Sequence, residues 1–281
     1  MTLRTCGPGV EAPGLVQCRS LSARAPLRVA RLFQSGGLRS PRIPGGHRPG
    51  ARVCDHDNQQ GDPLSRSDSG LALPAGGGSV AVIADYVYDL IPPGELVFAF
   101  SFSSTVVSAL LNARSKGKFF RVICTESRPA MEGRKLATML SSGGIEVINT
   151  FDTALGLVLS ECRTAFMGCD VVGNPGVVNK VGSWTLAVAC RELGIPLYAL
   201  AGTEKFATDE RLFEFEKHER PAEEVWSEIP KGVRVLNHQF ELVPFSLITG
   251  LVTEKGILQE KDINKFVSSA TVHPALALEL T

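Results

Sequence analysis

The pattern of hydrophobic and polar positions divides the chain near residue 78. Beyond that point, short apolar runs alternate with segments whose apolar residues recur at helical spacing, and turns that contain Gly or Pro join them. Strands that alternate with helices form βαβ units, so we predict an α/β fold with a parallel sheet and flanking helices. The predicted strands are Leu96–Phe100, Arg121–Cys124, Glu146–Asn149, Thr164–Gly168 and Pro196–Ala201. The predicted helices are Val80–Leu90, Thr105–Arg114, Gly133–Ser141, Thr153–Cys162 and Trp184–Leu193.

Residues 1–78 have a different composition, with 13 Gly and 8 Pro and no sustained period of 3.6 or 2. Such a segment buries too little apolar surface to offset its chain entropy, so we predict a poorly ordered leader. Two origins remain open for it. The Arg-rich start, with a weakly amphipathic stretch at Leu27–Phe33, resembles an organellar transit peptide, and the alternative is a non-native extension from a misplaced start codon or reading frame. We expect the folded domain at 79–270 and a tail at 271–281.

The distribution of charge excludes one class of partner. The whole chain has 29 basic and 29 acidic residues, but residues 1–54 hold nine Arg and a single acid, Glu11. The remaining chain therefore carries 20 basic against 28 acidic residues. Because nucleic-acid binding depends on clustered Lys and Arg that release counterions from phosphates, we expect no nucleic-acid partner for the acidic folded part.

The motifs of the sequence exclude several kinds of site. The seven Cys include no CxxC pair, which argues against a disulfide framework or a zinc site and favours a reducing, cytoplasmic location. The sequence has no HxxH or HExxH motif for a metal and no Walker or GxGxxG motif, so we expect neither a metal nor a cofactor. No apolar run reaches the length of about 18 residues that a membrane span needs.

Polar side chains gather where the predicted strands end. The carboxyl ends of parallel strands and the N-termini of the following helices meet at one edge of such a sheet, so we expect these side chains to lie close together. Several basic groups and hydroxyls favour an anionic ligand. A phosphorylated small molecule fits, with Asp170 as the acid or base. The candidates are Ser101, Ser103, Glu126, Arg128, Arg134, Asp170, Asn179, Lys180, Thr203 and Lys205.

Each of these groups also has an explanation that requires no ligand. The hydroxyl run Ser101–Thr105 is of the kind that caps helices. Arg128 and Arg134 have glutamates nearby, with which exposed ion pairs would contribute under about 1 kcal/mol. Lys180 is more informative, because it lies between valine-rich segments and just before a predicted helix whose first N–H groups are free to bind an anion.

Four collinear segments resemble one superfamily of proteins. They read CTESRPAMEGRKLATML, MGCDVVGNPGVVNKVGSWTLA, GTEKF and PFSLITGLVTEKGIL. The superfamily comprises the alpha, beta and delta subunits of eukaryotic translation initiation factor 2B, ribose-1,5-bisphosphate isomerase and methylthioribose-1-phosphate isomerase. The resemblance covers roughly residues 79–268. It implies a Rossmann-like domain, a dimer of that domain with itself or with a related subunit, and a sugar-phosphate pocket at the strand ends.

The isomerases of this superfamily use an Asp and a Cys, and this chain matches only the Asp. The GADxxxxNGxxxNKxG pattern of the isomerases is matched at Asp170, with Asn179 and Lys180 at ligand-contacting positions. Hydroxyls stand at the Cys positions, Ser101 in the match to the bisphosphate isomerases and Thr125 in the match to the methylthioribose enzymes. A thiol with a pKa near about 8.5 exchanges protons around neutral pH, whereas a serine hydroxyl needs a strong partner to do so.

Two functions follow from this resemblance. The first is a non-catalytic relative of the factor 2B subunits in translation initiation that binds a sugar phosphate or a nucleotide. The lost Cys favours it, as does the segment Pro244–Thr249, which resembles the factor's SLIT more than the isomerases' PPEYI. The second is an aldose–ketose isomerase, an intramolecular oxidoreductase, acting on a sugar 1-phosphate with Asp170 as general acid and Ser101 or Cys124 in place of the thiol. Cys124 lies one position from the matched site and is predicted to face the other side of its strand.

Large apolar residues after position 205 predict self-association. A monomer seldom exposes so many of them on one part of its surface, so we expect a dimer. The residues are Leu212, Phe213, Phe215, Val225, Trp226, Val243 and Phe245.

Overall fold

A computed structural model describes residues 78–208, 213 and 219–269 of the chain. The predicted leader up to residue 77 and the predicted tail lie outside the described residues. No helix within those ranges is both long and apolar enough to cross a membrane. The helices are α1 (Gly78–Leu90), α2 (Ser104–Ser115), α3 (Glu132–Ser142), α4 (Leu155–Val158), α5 (Ser183–Leu193) and α6 (Glu260–Ser269). The strands are β1 (Leu96–Phe100), β2 (Arg121–Thr125), β3 (Glu146–Thr150), β4 (Thr164–Met167), β5 (Val171–Gly173), β6 (Gly176–Lys180), β7 (Leu197–Leu200), β8 (Phe240–Val243), β9 (Gly250–Thr253) and β10 (Gly256–Leu258).

Seven strands form the main sheet, in the order β10-β9-β7-β4-β1-β2-β3. Every pair in this sheet is parallel except the antiparallel pair of β9 and β10. The predicted α/β fold with a mostly parallel sheet is therefore confirmed, and all five predicted strands are present with ends that differ by at most two residues. Strands β1 and β4 are neighbours at the centre, so the chain segments that follow them emerge side by side.

Both faces of the main sheet are covered, as the continuous apolar runs of its strands require. In β1, Phe98 and Phe100 pack into one core, and Val97 and Ala99 pack into the other. The first core includes apolar residues of α5 and α6, and the second includes those of α1, α2 and α3. Burial of each large apolar side chain contributes roughly 1.5–3 kcal/mol to the free energy of unfolding. Because successive side chains point to opposite faces, this burial fixes the orientation of β1 and therefore of the polar residues that follow it at the carboxyl edge.

The predicted helix Thr153–Cys162 is not continuous, and this expectation was wrong. The segment contains a 3-10 turn at Asp152–Ala154, the single turn α4 and a second 3-10 turn at Leu159–Glu161. The side chain of Asp152 accepts hydrogen bonds from the backbone N–H groups of the loop after β2, which holds the start of the segment against that loop. Gly156 in its middle has low helix propensity, so nothing local opposes the break.

The segment after Asp170 is a β-hairpin, which is absent from the strands predicted from the sequence. Strands β5 and β6 pair antiparallel around a turn at Asn174-Pro175, and β8 adds to β6 to complete a second sheet in the order β5-β6-β8. Two short runs of Val on either side of Gly-Asn-Pro-Gly were the signal for this hairpin. The consequence is that Asn179 and Lys180 stand on a fully buried strand, which fixes their positions more firmly than a loop would.

Part of the predicted dimerisation surface is core. Val243 and Phe245 are buried and pack with the main sheet, because β8 turns its apolar side towards that core. Val225 and Trp226 are exposed, at 38% and 46% of their surface. Phe213 is half-buried, and Leu212 and Phe215 lie outside the described residues.

Candidate functional site

A polar cavity of about 240 Å³ lies at the carboxyl ends of β1 and β4. Its walls come from the segment between β1 and α2, from the first residue of α3, from the end of β4, from β6, from the turn after β7 and from the start of β8. Parallel strands and the helix that follows each of them converge at this edge, which is where ligands bind in open α/β sheets. The lining residues are Ser101, Phe102, Ser103, Ser104, Glu132, Gly168, Cys169, Asp170, Asn179, Lys180, Lys205 and Phe240.

Six of the ten predicted site residues line this cavity. They follow β1, β4 and β7 of the main sheet or stand on β6 of the second sheet. The carboxyl ends of parallel strands meet at one edge, as we expected from the sequence. The predicted residues on the wall are Ser101, Ser103, Asp170, Asn179, Lys180 and Lys205.

The other four predicted residues are not on the cavity wall. The guanidinium of Arg134 binds the carboxylate of Glu126, with its Nε 3.0 Å from Oε1. Arg128 is exposed, and its backbone N–H donates to the carboxylate that holds the loop after β2. Thr203 donates both its N–H and its hydroxyl to Glu254. Each of these groups therefore already has a partner within the protein or faces solvent.

Glu132 is the charged residue of the cavity that sequence reasoning missed. Its Oε2 accepts a hydrogen bond of 3.0 Å from the hydroxyl of Ser101 and lies 3.3 Å from Nζ of Lys180. Lys180 also donates to Oε1 of Gln239, at 3.2 Å. In the sequence, Glu132 stands out only as an ion-pair partner for nearby arginines. Its position as the first residue of α3, at the same sheet edge, was the signal that could have placed it in the site.

Strained backbone is concentrated on this side of the sheet. Ser101, Ser127 and Met131 have φ values of 58°, 57° and 57°, in the left-handed region that residues with a Cβ seldom adopt. They lie at the end of β1, after β2 and just before α3. Such conformations cost about 1–2 kcal/mol each and persist where surrounding contacts hold them, as the Ser101–Glu132 hydrogen bond does here.

The carboxyl group of Asp170 has an unusual environment. It follows β4, and its backbone N–H donates to the carbonyl of Val178 at 2.8 Å, which ties it to the hairpin. Burial raises the pKa of Asp170, the positive charges of Lys205 and Lys180 oppose this rise, and the negative charge of Glu132 adds to it. The net result is a raised pKa, so this carboxyl holds a proton more readily than an exposed aspartate would.

The thiols near the site are poor proton donors and acceptors at neutral pH. Cys169 lines the cavity, but burial raises the pKa of its thiol to about 12, and the thiol donates to the carbonyl of Val171. Cys124 is fully buried in the core beside α1, α2 and α3, and burial raises its pKa too. Since Cys124 does not line the cavity, the structure contradicts the proposal that it takes the place of the family thiol.

The N-terminus of α5, which follows Lys180, is occupied by a carboxylate of the protein itself. Oε1 of Glu241 accepts hydrogen bonds of 2.7 Å from the N–H groups of Gly182 and Trp184. The expectation that these N–H groups are free for an external anion was therefore wrong, because β8 pairs with β6 and brings Glu241 to them. Burial raises the pKa of Glu241, and its backbone hydrogen bonds offset only part of that rise.

This arrangement predicts how stability depends on pH at Glu241. In unfolded chains glutamate ionises at a pH of about 4.3, whereas folded Glu241 ionises at a higher pH. As pH rises above about 4.3 the unfolded chain therefore releases its proton first, and the free energy of unfolding falls. Glu241→Gln keeps an oxygen acceptor without the charge, so we expect its stability relative to the natural chain to increase from pH 4 to pH 7. Glu241→Ala also removes the acceptor of the Gly182 and Trp184 N–H groups, so it should be less stable than Glu241→Gln by about 1–2 kcal/mol at both pH values. Urea denaturation measures both, and a Glu241→Gln variant that loses relative stability between pH 4 and pH 7 would contradict this account.

Among the residues that the structure describes, no group of three or more His, Cys, Asp or Glu side chains is arranged to hold a metal ion. The cavity presents lysine ammonium groups, hydroxyls and an amide, together with two carboxylates. This set of groups binds anions and hydroxyl-bearing molecules through charge-assisted hydrogen bonds.

Comparison with known families identifies the class of protein. Residues 77–260 match the model of the Initiation factor 2 subunit family. The chain belongs to this family. The match includes every residue of the cavity wall, so the resemblance stated from the four sequence segments is confirmed.

Individual relatives in the family include translation factors and isomerases. A translation initiation factor eIF-2B subunit 2-like protein of Pyrococcus furiosus is 39% identical over 177 residues, which are 63% of this chain and 62% of that protein. A methylthioribose-1-phosphate isomerase of Methanothermobacter thermautotrophicus is 33% identical over 162 residues, 55% of this chain and 52% of that one. The crystal structure of the translation initiation factor eIF-2B of Pyrococcus horikoshii OT3 has a TM-score of 0.58 at 36% identity, covering 64% of both chains. This chain thus spans less than two thirds of the length of these relatives.

Proposed function

We propose that this family member binds a phosphorylated small molecule, a sugar phosphate or a nucleotide, in the cavity at the carboxyl ends of β1 and β4, without catalysis. The observation that carries the proposal is the presence of two lysines, Lys180 and Lys205, in one cavity with hydroxyls and the N-terminus of α2. Ammonium groups and free helix N–H groups are the usual partners of phosphate oxygens.

The environment of the ionisable groups supports binding without turnover. An aldose–ketose isomerisation needs one group that protonates the ring oxygen and one that moves a proton between neighbouring carbons. Ser101 stands where the bisphosphate isomerases have their Cys, so a hydroxyl replaces the thiol at that position. The one thiol on the wall, Cys169, has a pKa of about 12 and stays protonated at neutral pH.

The second candidate is a sugar 1-phosphate isomerase, and two observations favour it. The raised pKa of Asp170 suits a general acid at neutral pH, because the carboxyl then holds its proton closer to the working pH. Ser101 also has a carboxylate within hydrogen-bond distance that can accept its proton. The relatives with isomerase names make this reaction class the natural alternative.

One experiment tests the proposed function and separates it from the alternative. A ligand that binds only the folded chain at 100 times its Kd adds about 2.7 kcal/mol, so ribose 5-phosphate should raise the Tm of the full chain by several degrees. Methylthioribose 1-phosphate and ribose 1,5-bisphosphate are then assayed for ketose product with the natural chain and with Asp170→Asn. We expect no ketose product from either substrate with either protein. Product formed by the natural chain and lost in Asp170→Asn would establish the isomerase instead.

We further infer that the protein acts in the cytoplasm as a dimer, with itself or with a related subunit of a translation initiation factor. The exposed Val225 and Trp226 support this, since two large apolar side chains next to each other are more stable when covered. Light scattering at micromolar concentration should give the mass of a dimer, and the mass of a monomer would contradict it.

A further inference from the structure

We infer that an apolar cavity beside the β5–β6 hairpin binds a segment of this same chain, residues 270–281, through the side chains of Leu276, Leu278 and Leu280. The inference does not depend on the ligand proposed for the polar cavity, because the two cavities share no wall residue among those that the structure describes. It names the occupant of an apolar surface that the proposed function leaves without a role.

The cavity has a volume of about 520 Å³. This volume is within the range of about 300–1,000 Å³ that is usual for pockets that bind a ligand. The proline ring, the alanine methyl group and the phenylalanine ring make much of the wall apolar, and all the described wall side chains are uncharged. Such a wall suits apolar side chains rather than an anion. The wall residues are Asn174, Pro175, Ala207, Thr208 and Phe213.

Two contacts hold the cavity wall against β5. The N–H of Ala207 donates to the carbonyl of Val172 at 2.8 Å. The ring of Phe213 lies against the backbone of Gly173, where a Cβ would be only 2.1 Å from the ring. The protein itself therefore keeps the wall in place, and an occupant is not opposed by the entropy cost of ordering these groups.

Helix α6 brings the following part of the chain close to this cavity. The ring of Phe266 packs edge-on against that of Phe206, with centroids 6.3 Å apart, and Phe206 directly precedes the wall residue Ala207. The helix also packs against β5, and it ends at Ser269, one turn after Phe266. Residues 270–281 span roughly 40 Å when extended, which is ample to reach the cavity from there.

The sequence of this segment suits an apolar cavity. Pro274 lacks an N–H and disfavours a helical conformation of the residue before it, so α6 is not expected to continue through it. Over residues 275–280, Leu alternates with Ala and Glu. In an extended conformation the three leucines therefore share one side, and in water they would form an apolar stripe that the cavity can cover.

The same segment of a second copy of the chain is the competing occupant. Attachment to α6 gives the segment of the same chain an effective concentration of about 1 mM, the usual value for a short flexible linker. Another molecule at micromolar concentration therefore competes poorly for the cavity. For this reason we assign the cavity to the segment of the same chain.

Nuclear Overhauser effects (NOEs) between methyl and ring protons test this placement in the full chain. With leucine methyl groups labelled, we expect NOEs from at least one of Leu276, Leu278 and Leu280 to the ring of Phe213. In a mixture of labelled and unlabelled chains we expect no transfer between molecules. NOEs that arise only between molecules would assign the cavity to a second copy and overturn the inference. The absence of any NOE between these leucines and the cavity wall would overturn it as well.

Substitutions on both sides of the contact provide an independent test. Leu276→Asp combined with Leu278→Asp should release the segment and make hydrogen exchange at the amide of Ala207 about tenfold faster, because an uncovered wall opens more readily. Leu193→Asp, at a leucine 46% exposed at the end of α5, is the matched control and should change this rate by less than about twofold. Thr208→Trp fills the cavity from an exposed position and should shift the Leu280 methyl signals to where the double variant has them. Unchanged exchange at Ala207 in the double variant would overturn the inference.

Discussion

Gly133→Ala should destabilise the protein by about 3 kcal/mol or more, the largest effect that we expect of a single methyl group. A Cβ at Gly133 would lie 1.7 Å from the carbonyl oxygen of Thr125, and 2.8 Å from its carbonyl carbon. Both are backbone atoms at the end of β2, and they cannot rotate away as a side chain can. The start of α3 would have to move outwards, and Glu132 would lose its contacts with Ser101 and Lys180.

Urea denaturation of Gly133→Ala and Gly156→Ala measures this effect with a matched control. Gly156 lies in α4, where a Cβ would have no atom within 4 Å of it, and its φ is not in the left-handed region. The same substitution there should stabilise by about 0.5–1 kcal/mol, because Ala loses less chain entropy than Gly on forming a helix. Equal stability of the two variants would show that the start of α3 leaves room for a Cβ beside the carbonyl of Thr125, which would contradict this packing.

Gly168→Ala should remove ligand binding and cost about 1–3 kcal/mol of stability, the range found when a packed site receives an extra methyl group. A Cβ at Gly168 would lie 2.6 Å from Cβ and 2.8 Å from Oγ of Ser103. Ser103 is the N-cap of α2, where its hydroxyl accepts a hydrogen bond from the N–H of Val106. The clash would push this end of α2 away from β4 and open the cavity between them.

A double variant shows whether that clash is the cause. Ser103→Gly removes the Cβ that Gly168→Ala would meet, at the cost of a few tenths of a kcal/mol for replacing the N-cap by Gly. We expect the two substitutions together to be less destabilising than the sum of the single ones by at least about 1 kcal/mol. If the losses of stability are additive, the contact with Ser103 is not the cause of the destabilisation by Gly168→Ala.

Five strands of the main sheet were predicted from the sequence, because each is a short run bounded by turns and separated from the next by a helical pattern. Strands such as Leu96–Phe100 are continuous apolar runs buried on both faces, and parallel order follows from the helices between them. The second sheet was not predicted, because the hairpin signal at β5 and β6 was overlooked and the four residues of β8 show no clear alternation. The pairing of β6 with β8 joins segments about 60 residues apart, which periodicity does not reveal.

The candidate site was predicted in outline, and its electrostatics were not. Asp170 and Lys205 were found because polar residues after apolar strands must meet at one edge. The partners of Lys180 come from α3 and from the segment before β8, so its neutralisation depends on contacts far apart in the chain. The same holds for Glu241, which occupies the helix N-terminus that looked available to a ligand.

The most direct test of the central claim is to map where ribose 5-phosphate binds. Amide chemical shifts of the full, isotope-labelled chain are recorded as the sugar phosphate is added. We predict saturable shifts at Ser103, Ser104, Asp170 and Lys205, on three separate segments that meet only at the cavity. Saturable shifts confined to other parts of the chain, or none up to millimolar ligand, would contradict a phosphate-binding cavity at the carboxyl ends of β1 and β4.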